Sequence, residues 1–261
     1  MLTIDLRGRR ALVTGGNSGI GAAIVASLAT AGADVAINYL SHSEAAEAGA
    51  AGVRQAGGRA LTLAADVADS AAVAAMFGRL DAEWGGLDIL VNNAGMDGPP
   101  MLAAEADLAQ WRRVLEVNLI GAFACAQQAL QRMLPRQSGA ILNMSSVHET
   151  IPWSRYSAYA ASKAGLAMLT RTLAQEAPPC GVRVVALAPG AIRTPINRAV
   201  WSDKAGLADL DAKIPLGRMG TPEEIARLAT VLVSDLASYL TGTTVFVDGG
   251  MADYADFSHG G

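Results

Sequence analysis

Tyr159 and Lys163, a tyrosine and a lysine four residues apart, are the side chains of this sequence best suited to proton transfer. If they lie on a helix they share one face, because side chains at positions i and i+4 are neighbours there. A phenol ordinarily titrates near pH ~10, and a neighbouring cation favours its ionised form. The pair could therefore act as an acid and a base near neutral pH. Tyr156 is a weaker candidate, because the residue four positions after it is Ala160.

A glycine-rich segment is the second feature with chemical potential. It follows an apolar stretch, residues 11–14, that predicts a strand, and it precedes an alanine-rich pattern that predicts a helix. In Gly15-x-x-x-Gly19-x-Gly21, backbone without Cβ atoms can approach a diphosphate at the positive end of that helix. A plain strand-to-helix turn would use the same glycines. No Gly-Lys-Ser/Thr follows, which disfavours a nucleoside triphosphatase.

Strands and helices alternate along the chain, which predicts right-handed βαβ units and a parallel sheet covered on both faces. We therefore expect an α/β fold: one Rossmann-like, doubly wound domain spanning residues 1–261. About seven strands are predicted, with helices on both sides of the sheet, and Ser146 follows the strand at 139–145. Residues 191–220 are less regular and predict either a mobile lid on the substrate side or a pair of short helices. Thr221, Pro222 and Glu224 predict a capped helix start.

Composition favours small-molecule chemistry. The 20 basic residues are dispersed and the net charge is -4, so we expect neither a nucleic acid nor a membrane as partner. No secretory signal or membrane-length apolar run is present, and a cytoplasmic location is expected. Cys125 and Cys180 are too few for a disulfide framework and lack metal-ligand spacing. They predict two buried thiols and no metal site.

The end of the second predicted strand should determine which cofactor ribose is accepted. An acidic residue there would bind the 2′-hydroxyl of NAD, and an arginine would bind the 2′-phosphate of NADP. The sequence has neither, since it reads Asn38-Tyr39-Leu40-Ser41-His42. We therefore expect both NAD and NADP to be used.

Taken together, these motifs resemble the classical short-chain dehydrogenases/reductases over essentially the whole chain. The resemblance rests on Thr14-Gly15-x-x-x-Gly19-x-Gly21, Asn92-Asn93-Ala94-Gly95, Asn118, Ser146, Tyr159-x-x-x-Lys163 and Pro189-Gly190. It implies that Tyr159 is the base, that Lys163 lowers the phenol pKa and binds the nicotinamide ribose, and that Ser146 rather than Ser145 fixes the reacting oxygen. Asn118 would hold a water that relays protons.

The same resemblance implies a set of cofactor contacts. Asp66 and Val67 would contact the adenine, and Ile192 and Thr194 the nicotinamide carboxamide. With the glycine loop, the second strand and the central motifs, the implied residues are Gly15, Asn17, Ser18, Gly19, Ile20, Gly21, Tyr39, Asp66, Val67, Asn92, Ala94, Gly95, Tyr159, Lys163, Pro189, Gly190, Ile192 and Thr194. A homotetramer is also implied, consistent with the apolar content of the helices that carry the catalytic pair.

Three segments resemble the glucose 1-dehydrogenase branch of this family: N-M-S-S-V-H-E-T-I-P-W, P-G-A-I-R-T-P-I-N and D-G-G-M-A-D-Y-A-D-F. Leu40 departs from that branch, which has a basic residue there. The resemblance implies oxidation of an aldose, D-glucose to gluconolactone, at the anomeric hydroxyl. Asp97, His148 and Asn197 are the candidate substrate contacts, whereas Trp153 is expected to pack or to line the entrance. The alternatives are reduction of a 3-oxoacyl or other ketone, and a catalytically idle nucleotide-binding regulator.

Overall fold

Seven parallel strands form one sheet in the computed structural model, which describes residues 4–177 and 181–253. Their order in the sheet is β3-β2-β1-β4-β5-β6-β7, which confirms the predicted parallel, doubly wound architecture. The strands are β1 (Arg10–Val13), β2 (Asp34–Tyr39), β3 (Ala60–Ala64), β4 (Ile89–Asn92), β5 (Gly139–Met144), β6 (Val182–Pro189) and β7 (Thr244–Val247).

The strand order reverses between β1 and β4. The chain enters the sheet at β1, builds outward to β3, and then crosses back to place β4 on the other side of β1. The strands are in register across this point, where Leu12 pairs with Ala36 of β2 and with Leu90 of β4. Because ligands of open α/β sheets bind where the order reverses, at the carboxyl ends of the strands, this edge is where a dinucleotide is expected.

Helices cover both faces of the sheet. The helices are α1 (Gly19–Thr30), α2 (Ser43–Gln55), α3 (Ser70–Trp84), α4 (Leu108–Leu115), α5 (Ala122–Met133), α6 (Ser157–Glu176), α7 (Arg198–Trp201), α8 (Lys204–Asp211) and α9 (Pro222–Val233). Side chains alternate along β1, so that Ala11 and Val13 join the core beneath α1, α2 and α9, whereas Leu12 joins the core beneath α3, α5 and α6.

A π-helical turn, Glu116–Gly121, joins α4 to α5 without a break. The sequence predicts one continuous helix here, and the structure inserts a wider turn into it. Such turns are frequent at functional sites, since the extra residue re-aims the side chains around it. Asn118 lies within this turn and is buried.

Residues 191–220 contain a 3-10 turn, Pro195–Asn197, followed by α7 and α8. Helix α9 begins as predicted: Glu224 N donates to Thr221 Oγ1, and Thr221 N donates to a Glu224 carboxylate oxygen. Within the described ranges, no helix combines the length and the apolar character needed to cross a membrane.

Cys125 is fully buried in the core against α3, and burial raises the pKa of its thiol to about 12. The thiol is buried, as predicted, and its raised pKa makes it inert at neutral pH. Cys180 lies outside the described residues. In the part of the chain that the structure describes, no three His, Cys, Asp or Glu side chains are grouped to hold a metal ion.

Candidate active site and cofactor cleft

Tyr159 and Lys163 lie on the first two turns of α6, on the face that packs towards the sheet. The Lys163 Nζ is 5.5 Å from the centroid of the Tyr159 ring. It also donates a hydrogen bond to the carbonyl oxygen of Met144, at the end of β5, over 2.8 Å. Lys163 is 5% exposed. The helix therefore places an amine, fixed by the sheet, against the phenol ring.

Burial controls the acidity of both groups, in opposite directions. It lowers the pKa of Lys163 to about 8, and the charges of Asp97 and then Glu149 oppose this change. It raises the pKa of Tyr159 above its usual range, with the Ser146 hydrogen bond acting against it and Asp97 adding to it. The sequence predicted a lowered phenol pKa. The structure gives the opposite direction because loss of hydration outweighs the favourable contacts of the phenolate.

Ser146 lies two residues after the end of β5, and its hydroxyl interacts with the Tyr159 phenol and lowers the pKa of that phenol. Its Oγ also accepts a hydrogen bond of 3.2 Å from the backbone N–H of His148, which fixes the start of the 3-10 turn Val147–Glu149. Ser145, the alternative, donates instead to the Glu149 carboxylate over 2.5 Å. The geometry thus brings Ser146, and not Ser145, to the tyrosine.

Asn118 connects the π turn to two other elements. Its Nδ2 donates to the Met96 carbonyl oxygen (2.9 Å) and to Ser162 Oγ (3.0 Å), and its Oδ1 accepts from Met96 N (2.9 Å). Both amide hydrogens and one lone pair of Oδ1 are therefore used within the protein. Asn118 holds the loop after β4 against α6, next to the catalytic pair.

The glycine loop has the geometry needed to receive a diphosphate. Gly15 and Gly19 have φ of +59° and +52°, in the left-handed region that favours glycine. A Cβ on Gly21 would overlap the Gly15 carbonyl oxygen. Ser18, the N-cap of α1, makes no side-chain cap, and the first turn of α1 contains no acidic residue. The uncapped N–H groups of α1 therefore fit an anionic group.

Asn93, part of the Asn-Asn-Ala-Gly motif, supports this loop through contacts that the sequence did not predict. Its Nδ2 donates to the carbonyl oxygens of Thr14 (2.9 Å) and Gly15 (3.0 Å). In return, Thr14 Oγ1 accepts from the backbone N–H groups of Asn93 and Ala94. The Asn-Asn-Ala-Gly motif after β4 is thereby hydrogen-bonded to the glycine loop after β1. An amide adjacent to a glycine motif at the neighbouring strand end was the available signal.

Two of the implied cofactor residues use their side chains elsewhere. Asn92 is 4% exposed and donates to the Ala122 carbonyl oxygen and to Asn143 Oδ1, inside the core. Burial would raise the pKa of Asp66, but hydrogen bonds from the Ala68 backbone and from Arg113 outweigh it and lower the pKa. Asn92 therefore supports the sheet, while Asp66 is held in an ion pair at its strand end.

The remaining implied cofactor residues line the same edge of the sheet. Tyr39 ends β2, and Val67 is buried after β3. Pro189 ends β6, and a Cβ on the following Gly190 would crowd Asp248. Ile20, Gly95, Ile192 and Thr194 complete the set: Ile20 packs on the core beneath α1, Gly95 adjoins Asn118 and Lys163, and Ile192 and Thr194 are buried.

Among the substrate candidates, Asp97 and His148 are brought to the catalytic pair and Asn197 is not. Asp97 interacts electrostatically with His148, Tyr159 and Lys163. The Asn197 amide closes its own turn, since Oδ1 accepts from Thr194 N (3.0 Å) and Nδ2 donates to the Ile192 carbonyl oxygen (2.8 Å). Asn197 therefore shapes the turn before α7.

Comparison with known proteins agrees with this arrangement. A family model described as enoyl-(acyl carrier protein) reductase matches residues 15–252. The chain is 45% identical to 3beta-hydroxysteroid dehydrogenase 1 of Eggerthella lenta, over 98% of both chains. It is 40% identical to glucose 1-dehydrogenase 2 of Bacillus subtilis, over 96% of this chain and 97% of that one.

A solved structure shares the fold throughout. The gluconate 5-dehydrogenase of Burkholderia cenocepacia, in complex with NADP and tartrate, is 35% identical and superposes with a TM-score of 0.91, over 97% of this chain and 98% of that one. The strand order, the glycine loop and these similarities lead to one conclusion. The chain belongs to the short-chain dehydrogenase/reductase family and is an NAD(P)-dependent oxidoreductase that acts on CH–OH groups.

Proposed function

We propose that this enzyme oxidises an aldose at its anomeric hydroxyl to the lactone, and that D-glucose is the leading candidate substrate. One observation carries the proposal: Asp97 and His148, which both interact with Tyr159, each keep a hydrogen-bond acceptor to which no described residue donates. A sugar ring can satisfy both with its neighbouring hydroxyls. A steroid or an acyl chain would leave them unpaired, at a cost of about 1–3 kcal/mol for each buried group.

His148 offers an acceptor because its tautomer is fixed. Its Nδ1 lies 3.1 Å from the Ile151 carbonyl oxygen, which can only accept, so Nδ1 carries the proton. Burial lowers the pKa of His148, opposed by that hydrogen bond and by Asp97, and the ring is therefore neutral at pH 7. In a neutral imidazole protonated at Nδ1, Nε2 is an acceptor. No described residue donates to it.

Asp97 is the second acceptor. Its carboxylate is half-buried, and none of the described residues donates a hydrogen bond to it or forms an ion pair with it. Burial raises the pKa of Asp97, while the charges of Lys163 and His148 oppose this change. A carboxylate without protein donors, next to the catalytic pair, suits a substrate hydroxyl group.

The residues then have distinct roles. Ser146 holds the reacting oxygen. The protonated phenol of Tyr159 gives its own proton to the neutral, buried amine of Lys163 as it accepts the substrate hydroxyl proton, and the carbonyl forms. Asn118 keeps the loop after β4 and α6 in place. A bound nicotinamide cofactor supplies the acceptor for the hydride from the same carbon. The glycine loop, the Asn-Asn-Ala-Gly motif and the turn at Ile192 and Thr194 hold that cofactor, and residues 191–220 cover the substrate side.

A substrate panel tests the proposal. The purified protein is mixed with NAD or NADP and with aldoses, cyclic secondary alcohols and 3β-hydroxysteroids, and reduced nicotinamide is followed by absorbance. We expect turnover of D-glucose with both cofactors, with kcat/KM values within about 100-fold of each other, or about 2.7 kcal/mol. Turnover of steroids or ketones alone, with every aldose silent, would contradict the assignment.

A second candidate is a hydroxyl or ketone on an apolar ring. It is favoured by the 45% identity to a 3beta-hydroxysteroid dehydrogenase and by the aromatic rings that surround Tyr159. The variants Asp97→Leu and His148→Leu separate the two candidates. Both should reduce kcat/KM for D-glucose, and for an apolar substrate both should leave it unchanged or raise it, because an unpaired acceptor is removed.

We also propose that the protein assembles as a homotetramer. Leu108, Ile120, Phe123 and Met168 expose apolar side chains on α4, the π turn, α5 and α6. These elements pack against one another, and a groove of about 250 Å³ opens beside Leu108 and Trp111. Large exposed apolar surface of this kind is typical of an interface.

A further inference from the structure

Three aromatic rings from one segment form a stack beside the catalytic tyrosine, and two of them contact its ring. Trp153 stacks on His148, with ring centroids 4.5 Å apart and planes 13° apart, and on Tyr156, at 3.8 Å and 22°. Trp153 and His148 both meet the Tyr159 ring edge to face, at 5.7 Å and 6.1 Å. The segment between Ser146 and Tyr159 thus folds back on itself. Its aromatic side chains stack on one another, and the edge of this stack contacts the Tyr159 ring.

Both faces of the Trp153 ring are covered. The His148 imidazole and the Tyr156 phenol each stack on the indole and make no ring contact with each other, which places them on opposite faces. The indole therefore offers no face to a substrate. Its influence on the reaction must pass through the rings it touches. Stacked and edge-to-face aromatic pairs stabilise each other beyond the area that they bury.

We propose that Trp153 is a positioning residue: clamped between His148 and Tyr156, it holds the imidazole of His148 against Tyr159 and directs Nε2 at the substrate. The proposal rests on the function proposed above, in which His148 accepts a hydrogen bond from a substrate hydroxyl. It adds the side chain that orients the acceptor, at a position where the sequence alone predicted a residue that packs or lines the entrance.

The hydrogen bond to Ile151 explains why a second contact is needed. It fixes one atom of the imidazole, Nδ1, and leaves the ring free to pivot about that point. The stacked indole removes this freedom and excludes water from the face of the ring that it covers. Without the indole, the imidazole would become hydrated and turn away from Tyr159.

The ionisable groups near His148 lie on the loop after β4, next to it in the chain, and at the start of α6. Asp97 lies on the loop after β4, Glu149 is the next residue, and Tyr156, Tyr159 and Lys163 lie at the start of α6. Of these, Asp97 raises the pKa of His148, whereas burial lowers it. Trp153 supplies part of the burial. Its loss should therefore raise the pKa of His148 while leaving Asp97 in place.

The test is an NMR titration of the histidine ring protons in the protein without substrate, comparing Trp153→Leu and Trp153→Phe with the wild type. His148→Gln assigns the signal. We expect Trp153→Leu to raise the His148 pKa and Trp153→Phe, which keeps a stacking ring, to leave it close to the wild-type value. An unchanged titration in Trp153→Leu would overturn the proposal.

Kinetics supply the second readout. Loss of orientation should raise KM for D-glucose about tenfold in Trp153→Leu, equivalent to about 1.4 kcal/mol, and Trp153→Phe should restore most of it. If Trp153→Leu does not fold, Tyr156→Leu removes one side of the clamp and is measured in the same way. An unchanged KM in the folded variant would also contradict the proposal. Because the titration needs no substrate, it tests the role of Trp153 even if the protein does not oxidise D-glucose.

Discussion

Lys163 is a buried amine whose charge depends on its surroundings. Burial lowers its pKa to about 8, while Asp97 and Glu149 favour the charged form. The phenol of Tyr159 stays protonated over the same pH range, because burial raises its pKa. At the scale of single residues, the group of this pair that changes charge near neutral pH is therefore the lysine.

The rate of alcohol oxidation should follow this ionisation. Oxidation releases a proton into the site, and Lys163 can accept it only when it is neutral. We expect kcat for oxidation to rise with pH through about 8 and then to level off, and kcat for the reverse reduction to fall over the same range. The measurement is a pair of pH profiles in the two directions at saturating substrate. A profile for oxidation that falls with rising pH would contradict this role of Lys163.

Asp97→Asn should move that profile. Asp97 raises the pKa of Lys163, so its removal should lower this pKa and shift the rising limb of kcat towards lower pH. Asp97→Glu, which keeps the charge, is the control. If the rising part of the kcat profile stays at the wild-type pH in Asp97→Asn, a group other than Lys163 controls the reaction.

Tyr159→Phe should bind NAD normally and lose at least ~100-fold in kcat, since a positioned acid–base group is worth about 10²- to 10⁴-fold. Cofactor affinity is measured by calorimetry and turnover by absorbance. Tyr156→Phe is the matched control, because it keeps the ring on Trp153 and has no lysine four residues on. Near-normal turnover in Tyr159→Phe would place the base elsewhere.

At the scale of elements, two loops at neighbouring strand ends act as one unit. The glycine loop after β1 and the Asn-Asn-Ala-Gly motif after β4 are joined through Thr14 and Asn93. Gly21 completes this contact from α1, where its Hα occupies the space in front of the Gly15 carbonyl group. The closeness of the three segments, rather than flexibility, is why glycine is required at this position.

Gly21→Ala should therefore weaken cofactor binding. The added methyl would push apart the loop and the Asn93 amide, and we expect the Kd for NAD to rise at least tenfold, about 1.4 kcal/mol. Gly52→Ala is the matched control, because a Cβ there meets nothing within 4 Å and alanine stabilises a helix interior by about 1 kcal/mol. Unchanged affinity in Gly21→Ala would mean that the loop can widen freely.

The regular elements were predictable and the irregular ones were not. Apolar, β-branched runs and glycine loops identify the strands, and Thr221, Pro222 and Glu224 identify the start of α9. The π turn was not predictable, since one extra residue in a helix barely changes the pattern of apolar positions. The choice between a lid and short helices at residues 191–220 also stayed open, because α7 and α8 are too short for a periodic signal.

At the scale of the whole molecule, some site residues were predictable from the sequence and the roles of others were not. Tyr159 was found from its spacing to Lys163, and Ser146 from the family resemblance. The roles of Asn93 and Trp153 depend on which loops meet in three dimensions, and spacing carries no such information. Asn92 and Asn197 also lie in motifs, yet the Asn92 side chain is bonded inside the core and the Asn197 side chain is bonded within its own turn. A motif therefore identifies a place in the fold more securely than it identifies a contact.

The proposed assembly makes a prediction at this scale. Light scattering should give a mass four times the 26.8 kDa of one chain. Phe123→Glu combined with Met168→Glu should lower that mass, because charges on an apolar interface are costly to bury. Met168→Leu keeps the apolar face and should leave the tetramer intact. A monomeric mass for the wild-type protein would refute the assembly.

Asn17 has a consequence for how cofactor preference can change. Its Nδ2 donates to the carbonyl oxygen of Ser41 over 2.8 Å, with His42 O at 3.4 Å, and so ties the glycine loop to the residues after β2. Selection, natural or in the laboratory, therefore cannot act on residues 40–42 alone. Because these contacts are to main-chain oxygens, replacements at residues 40–42 that shift this backbone to admit a 2′-phosphate will also move the diphosphate loop. Such a change in cofactor preference should require a compensating change at position 17.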